Sequence, residues 1–335
     1  PRMLLKKTKF GVVLVLFFTF FFRFGGAWPG GGPASICERR ASLNSSRQSS
    51  LKHNSAATRG VPLPARFREV DGRGLLVKTW INGRGAFTFA IDTGAGAIIL
   101  SRRVVAEAHV GIARERTVQI SGLSGATGGV GQKASIQTLA IGSPQNFLPA
   151  RGLVIVAAAL PSGVDGILDP TEAYAPFGYS IDVPNGEMCA FDPQRTPLHA
   201  GAAPQDGAIV RWLREAGGRR PFVMLDGGKR ALLDTGSGFG LAMSESAART
   251  IGIAEVLRQD GRRTCQTYDL AGGRVSARRM KPATIYIGSL MLRGVPTDFL
   301  LNVEAGAPIL LGRDALRPFH LTFDPLSQLI QIRPS

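Results

Sequence analysis

The feature that most constrains this chain is a pattern that occurs twice. Asp92-Thr93-Gly94 recurs as Asp234-Thr235-Gly236, 142 residues later. Each triplet ends an apolar run, Phe87-Thr88-Phe89-Ala90-Ile91 before the first and Ala231-Leu232-Leu233 before the second. A carboxylate at the end of a buried strand is costly unless its surroundings use it. Upstream, Asn82-Gly83 and Asp226-Gly227-Gly228 interrupt the apolar segments as hairpin turns do, because these residues tolerate positive φ. Downstream, Ser101 and Ser244 are placed to cap short helices over Arg102–Ala108 and Glu245–Ile251. Each copy then passes through a glycine-containing stretch to Ile-Gly-Ser (Ile141-Gly142-Ser143 and Ile287-Gly288-Ser289) and to an apolar pair (Ile167-Leu168 and Leu310-Leu311). Each closes on a Phe with an Asp five residues later, Phe177 and Asp182 in one copy, Phe319 and Asp324 in the other. Landmarks in one order at nearly equal spacing predict an internal duplication that sets two carboxylates face to face.

These residues resemble the aspartic proteases, specifically single-chain, two-lobed enzymes with retropepsin-like or pepsin-like halves, over residues 72–333. The motif that carries the resemblance is Asp-Thr-Gly followed about 75 residues later by apolar-apolar-Gly, as in Leu310-Leu311-Gly312. The resemblance implies an all-β fold of two barrel lobes related by a pseudo-twofold axis, with few short helices and a cleft between the lobes. It places the N-terminal lobe over 71–195, an inter-lobe connection over 196–218 and the C-terminal lobe over 219–335. Asp92 and Asp234 are the implied catalytic pair of an aspartic endopeptidase. Thr93 and Thr235 would bond across the axis, and Gly94 and Gly236 would let backbone approach the carboxylates. Leu311 and Gly312 would form the loop beneath Asp234. Two close carboxylates share a proton, so water attack on a peptide bond needs neither a metal nor a cofactor.

The copies differ where the chemistry is expected. Ala95 follows the first triplet and Ser237 the second, and a hydroxyl at that position favours the ionised form of its own Asp. The expectation is therefore a proton held more by Asp92 and a charge held more by Asp234. Where the second copy has Gly312, the first has Asp169. Before Pro170, Asp169 reads as a surface turn residue; its alternative is a third carboxylate near the site. The stretch Ser121–Gly131, with Gly122, Ser124, Gly125, Gly128 and Gly129, is the flap candidate, and Tyr268 is its aromatic counterpart in the second copy. The Tyr-Gly-Thr-Gly of the pepsin flap is absent.

The N-terminus stands apart from the repeat. A basic Met3–Lys9 precedes 13 nearly all apolar residues, Phe10–Phe22, and residues 1–27 read as a signal peptide or membrane anchor. Residues 28–70, rich in Gly, Ser, Pro and Arg, read as a flexible linker or pro-segment. The expectation is an exported enzyme, periplasmic or extracellular, with membrane attachment through the apolar segment as the alternative. Three cysteines are too few for a disulfide framework; Cys189 reads as a small core residue, with a Cys189–Cys265 bridge open. The net charge of +16 is dispersed in Arg pairs without aromatic alternation, which argues against nucleic acid as a partner. The four histidines are far apart and suggest no metal. Because both halves lie in one chain, a monomer acting on a polypeptide suffices. Two rivals remain: a non-catalytic peptide- or glycan-binding protein on the same fold, and an ATP-binding protein of the actin and hexokinase type, whose phosphate loops also carry Asp-x-Gly.

Overall fold

The computed structural model of the protein describes residues 13–15, 60–124, 129–215, 218–252, 264–268, 273–303 and 306–335. The expected signal peptide apart from Val13–Val15, and most of the expected linker, lie outside them, as do Gly125 and Gly128 of the flap candidate. The described part is built almost wholly of strands. Its four helices have four to six residues each. That is far too little for an actin- or hexokinase-type fold, which needs long helices between its strands.

The upstream turns form as their residues demand. Asn82 and Gly83 take φ of 50° and 74° and join strand Gly74–Ile81 to Arg84–Ile91, the combination a two-residue hairpin requires. Gly227 and Gly228, at 79° and 75°, turn a longer loop between Phe222–Met224 and Arg230–Asp234, closed by the bond from Leu225 N to the Lys229 carbonyl. Ser101 accepts from the Val104 amide and Ser244 from the Ala247 amide, starting helices Arg102–Glu107 and Glu245–Thr250.

The duplication is visible strand by strand. In the first lobe the order across the sheet is 74–81, 84–91, 166–168, 99–100, 152–156, 129–136 and 111–121. In the second it is 222–224, 230–234, 309–312, 241–244, 297–300, 274–279 and 264–268, the same order with the same neighbours. In each lobe the strand leading into the triplet runs parallel to the strand bearing the apolar pair: Ile91 lies beside Leu168, and Leu233 beside Leu311. These strands are apolar on both faces because both are covered. One face joins the main core through Phe89, Ile91, Leu168, Leu233 and Leu311. The other forms a small cluster beside each triplet, with Ala90, Ala95, Ile99 and Ile167 in the first lobe. Leu232, Phe239, Ala242 and Leu310 make its counterpart in the second.

The lobes are joined by a further set of strands in the order 65–70, 187–191, 178–182, 319–324, 329–334 and 208–211. At its centre the closing strands of the two copies pair antiparallel, Ser180 opposite Thr322 and Ile181 opposite Leu321. Tyr179 and Phe323 stack there with ring centroids 4.7 Å apart, and Trp212 packs edge-on against Phe323. Two segments depart from the sequence reading. Ala65–Val70 is not a flexible tether but a strand, held on one side by Gly74–Ile81 and on the other by Glu187–Phe191. Ala208–Arg211, within the expected connection, is also a strand, paired with Leu329–Pro334.

The cysteine reading is corrected as well. Cys189 is disulfide-bonded rather than a core thiol. Cys265 keeps its thiol, which donates to the Ala277 carbonyl at 3.5 Å, so the two are not bridged to each other.

Candidate active site

Asp92 and Asp234 are fully buried, each at the end of its strand. The loops that hold them are locked across the axis by reciprocal bonds. Thr93 N donates to Thr235 Oγ1 and Thr235 N to Thr93 Oγ1, both at 3.1 Å. Each hydroxyl donates onward to the opposite strand, Thr93 Oγ1 to the Leu233 carbonyl at 2.6 Å and Thr235 Oγ1 to the Ile91 carbonyl at 3.1 Å. Four buried bonds between segments so distant in sequence hold the two carboxyls in fixed relation.

The glycines of the triplets are required by crowding. A Cβ on Gly236 would lie 2.3 Å from Asp92 Cγ, and one on Gly94 would lie 2.8 Å from Asp234 Cγ. Each Asp is therefore packed against the other lobe's loop. One oxygen of each carboxyl is bonded locally: Asp92 Oδ1 accepts from Gly94 N at 2.8 Å and Asp234 Oδ1 from Ser237 N at 3.0 Å. Oδ2 of each is buried and has no partner among the described residues. Two ionised carboxylates can only accept, so a single proton between them supplies the missing donor.

The electrostatics of the two sides differ. Burial raises both carboxyls above the usual range, and the Asp234 charge raises Asp92 further. Asp234 is raised less, because bonds from Asp92 and the Ser237 amide, together with the Arg313 cation, favour its ionised form. The amide of Ser237 and the Arg313 cation thus favour the charge on Asp234 over Asp92. The Ser237 amide donates to Asp234 Oδ1, and Ser237 Oγ accepts from Phe239 N.

Arg313 is the residue that sequence reasoning passed over. It directly follows Gly312, is buried, and its Nη1 donates at 2.9 Å to both the Thr235 and Gly236 carbonyls. Leu310-Leu311-Gly312-Arg313 was legible as a motif, but an arginine is expected at the surface. Gly312 itself pairs with Asp234, and a Cβ there would lie 2.4 Å from the Phe239 carbonyl.

Asp169 occupies the corresponding place in the first lobe, since Leu168 matches Leu311 in register. It is fully buried, which overturns the surface reading. Its Oδ1 accepts from Thr171 N at 2.9 Å and caps helix Pro170–Tyr174.

The flap candidate is partly in place. Strands Gly111–Ser121 and Gly129–Ile136 form a hairpin, with Gly129 paired to Ile120. Gly122 and Leu123 are buried, and Ser124 is intermediate. Leu123 reaches the second lobe's cluster with Phe222, Leu232, Phe239 and Leu310, a contact the sequence did not signal. In the second lobe the backbone of Tyr268 pairs with Arg274 at the end of the matching hairpin.

A family pattern described as aspartyl protease matches the chain twice, over residues 77–168 and 225–315. The two matches span more than half of the chain and each contains one Asp-Thr-Gly triplet, so the protein belongs to the aspartyl protease family. No curated protein matches it.

Proposed function

We propose that the protein is an aspartic endopeptidase that hydrolyses peptide bonds with Asp92 and Asp234. The observation that carries this reading is the pair of fully buried carboxyls, each with a partnerless inner oxygen, locked together by the Thr93 and Thr235 bonds. Asp234, the more ionised member, takes a proton from a water molecule as the water oxygen adds to the scissile carbonyl carbon. Asp92 gives its proton to the carbonyl oxygen. When the tetrahedral intermediate collapses, the proton on Asp234 passes to the departing amine and Asp92 recovers its own from the hydroxyl. No covalent bond to the protein forms.

By the family's habit, substrates with apolar side chains flanking the cut, held in extended form, are expected. Both halves of the site come from one chain, so a monomer is sufficient. The basic and apolar start of the sequence and the disulfide at Cys189 support action outside the cytoplasm. Among the described residues no helix is long and apolar enough to cross a membrane.

The test is cleavage of a peptide library from pH 3 to 9 by the full chain, with a statine-containing inhibitor and the variants Asp92→Asn and Asp234→Asn. The expected result is inhibition by the statine and a loss of about 10³-fold or more in each variant. Cleavage that survives either substitution would overturn the reading. Folded protein that binds peptides and cuts none would favour the non-catalytic alternative.

A further inference from the structure

The two lobes depart from each other most sharply in the residue beneath each catalytic carboxyl. In the second lobe it is Gly312, where any side chain would strike the Phe239 and Ser237 carbonyls. In the first lobe the residues matching Ser237 and Phe239 are Ala95 and Ala97, and the matching position holds the carboxyl of Asp169. The first family match ends at Leu168, one residue short of it, whereas the second runs on through Gly312 and Arg313. Asp169 extends a strand whose Leu168 carbonyl accepts from Asp92 N at 2.9 Å, so it stands beside Asp92 as Gly312 stands beside Asp234. Its Oδ1 is bonded to Thr171 N, and its Oδ2 is buried with no partner among the described residues.

The next position widens the asymmetry. Arg313 presents a buried cation to the Asp234 side, while the first lobe has Pro170 in that place. The dyad thus lies between a carboxyl on the Asp92 side and a guanidinium on the Asp234 side.

We propose that Asp169 is a positioning residue that keeps the shared proton on Asp92 as the solution passes through neutrality, extending the dyad's working range to higher pH. Its consequence for catalysis rests on the peptidase reading above. The groups that act on Asp169 are Glu172 on its own helix, Arg219, whose Nη1 lies 3.9 Å from Glu172, Asp92 in the adjacent strand, and the Tyr179 hydroxyl bonded to Thr171. Burial, reinforced by Glu172, pushes Asp169 up to about 7 against the bonds from Thr171 and Glu172 and the Arg219 charge. In acid, Asp169 is neutral and leaves the dyad alone. Near neutrality it ionises, and a second negative charge on Asp92 becomes harder to form in this water-poor interior. The dyad then retains its one proton where an isolated pair would lose it.

The experiment is the pH profile of kcat/KM for the full chain and for Asp169→Asn, which keeps a helix-capping side chain without the charge. Asp169→Gly, which copies the second lobe, serves as a second variant. The alkaline limb is expected to move down by about one pH unit in both, with activity at pH 8 falling about tenfold, and the acid limb to stay in place. An unmoved alkaline limb, or both limbs moving together, would overturn the proposal while leaving the peptidase reading intact. Titration of aspartate carboxyls labelled with carbon-13 gives a readout that needs no substrate. The resonance that Asp92→Asn removes should titrate at lower pH in Asp169→Asn. If the wild-type protein cuts no peptide, the peptidase reading fails, and this titration alone decides: a shifted resonance supports the role of Asp169 and an unshifted one ends it.

Discussion

Each triplet threonine commits its side chain to the opposite lobe. Thr93 Oγ1 accepts from Thr235 N and donates to the Leu233 carbonyl, and both partners are buried. Thr93→Val keeps the shape and removes both bonds, leaving a buried donor and a buried acceptor unpaired. A loss of about 1–3 kcal/mol per orphaned group is expected. It would be read as a lower unfolding midpoint in urea, with activity falling further than stability as the carboxyls lose their alignment. This residue was legible in the sequence, because the triplet occurred twice and its partner could be named. Asp169 and Arg313 were not. A polar residue before proline and an arginine after a strand both look like surface features until the strands beside them are known to be covered. What decides their burial is the register of Leu168 against Ile91 and of Leu311 against Leu233, which depends on contacts far along the chain.

At the scale of elements, the local signals translated well. Asn82-Gly83 made its hairpin and the two serines made their caps, because turns and caps are decided by neighbours in sequence. The packing of the hairpin Gly111–Ile136 onto the other lobe was not visible. Among the described residues its anchor is Leu123, in a cluster drawn mainly from the second lobe. Leu123→Ala removes most of that contact, of a kind that costs about 2–5 kcal/mol in a tight core. Faster amide exchange is expected across strands Gly111–Ser121 and Gly129–Ile136, with no change in the strands that join the lobes. Uniformly faster exchange would show that Leu123 supports the whole fold instead. The joining strands carry their own pH dependence. Burial works against the ionised form of Asp182, but His320 and Asn185 outweigh it and hold the carboxyl well below the usual range. A depressed folded value means that the stabilisation is present above the unfolded value of about 3.9 and is lost as pH falls through the folded one. Thermal unfolding should therefore show Asp182→Asn less stable than wild type at pH 6, with the gap closing in strong acid.

For the molecule as a whole, the duplication was legible and the way the halves are fastened was not. Repeated landmarks give two similar sheets; they do not reveal that Phe319–Asp324 of one copy pairs with Gly178–Asp182 of the other. That pairing sets the order of events during synthesis. The first copy is translated in full while the strand that flanks its closing segment, and the second aspartate, are still unmade. A chain halted partway, or clipped before residue 319, carries at most a dyad without its central fastening. The two carboxyls are thus fastened in their final relation only when the last strands have emerged, so the topology itself delays completion of the site.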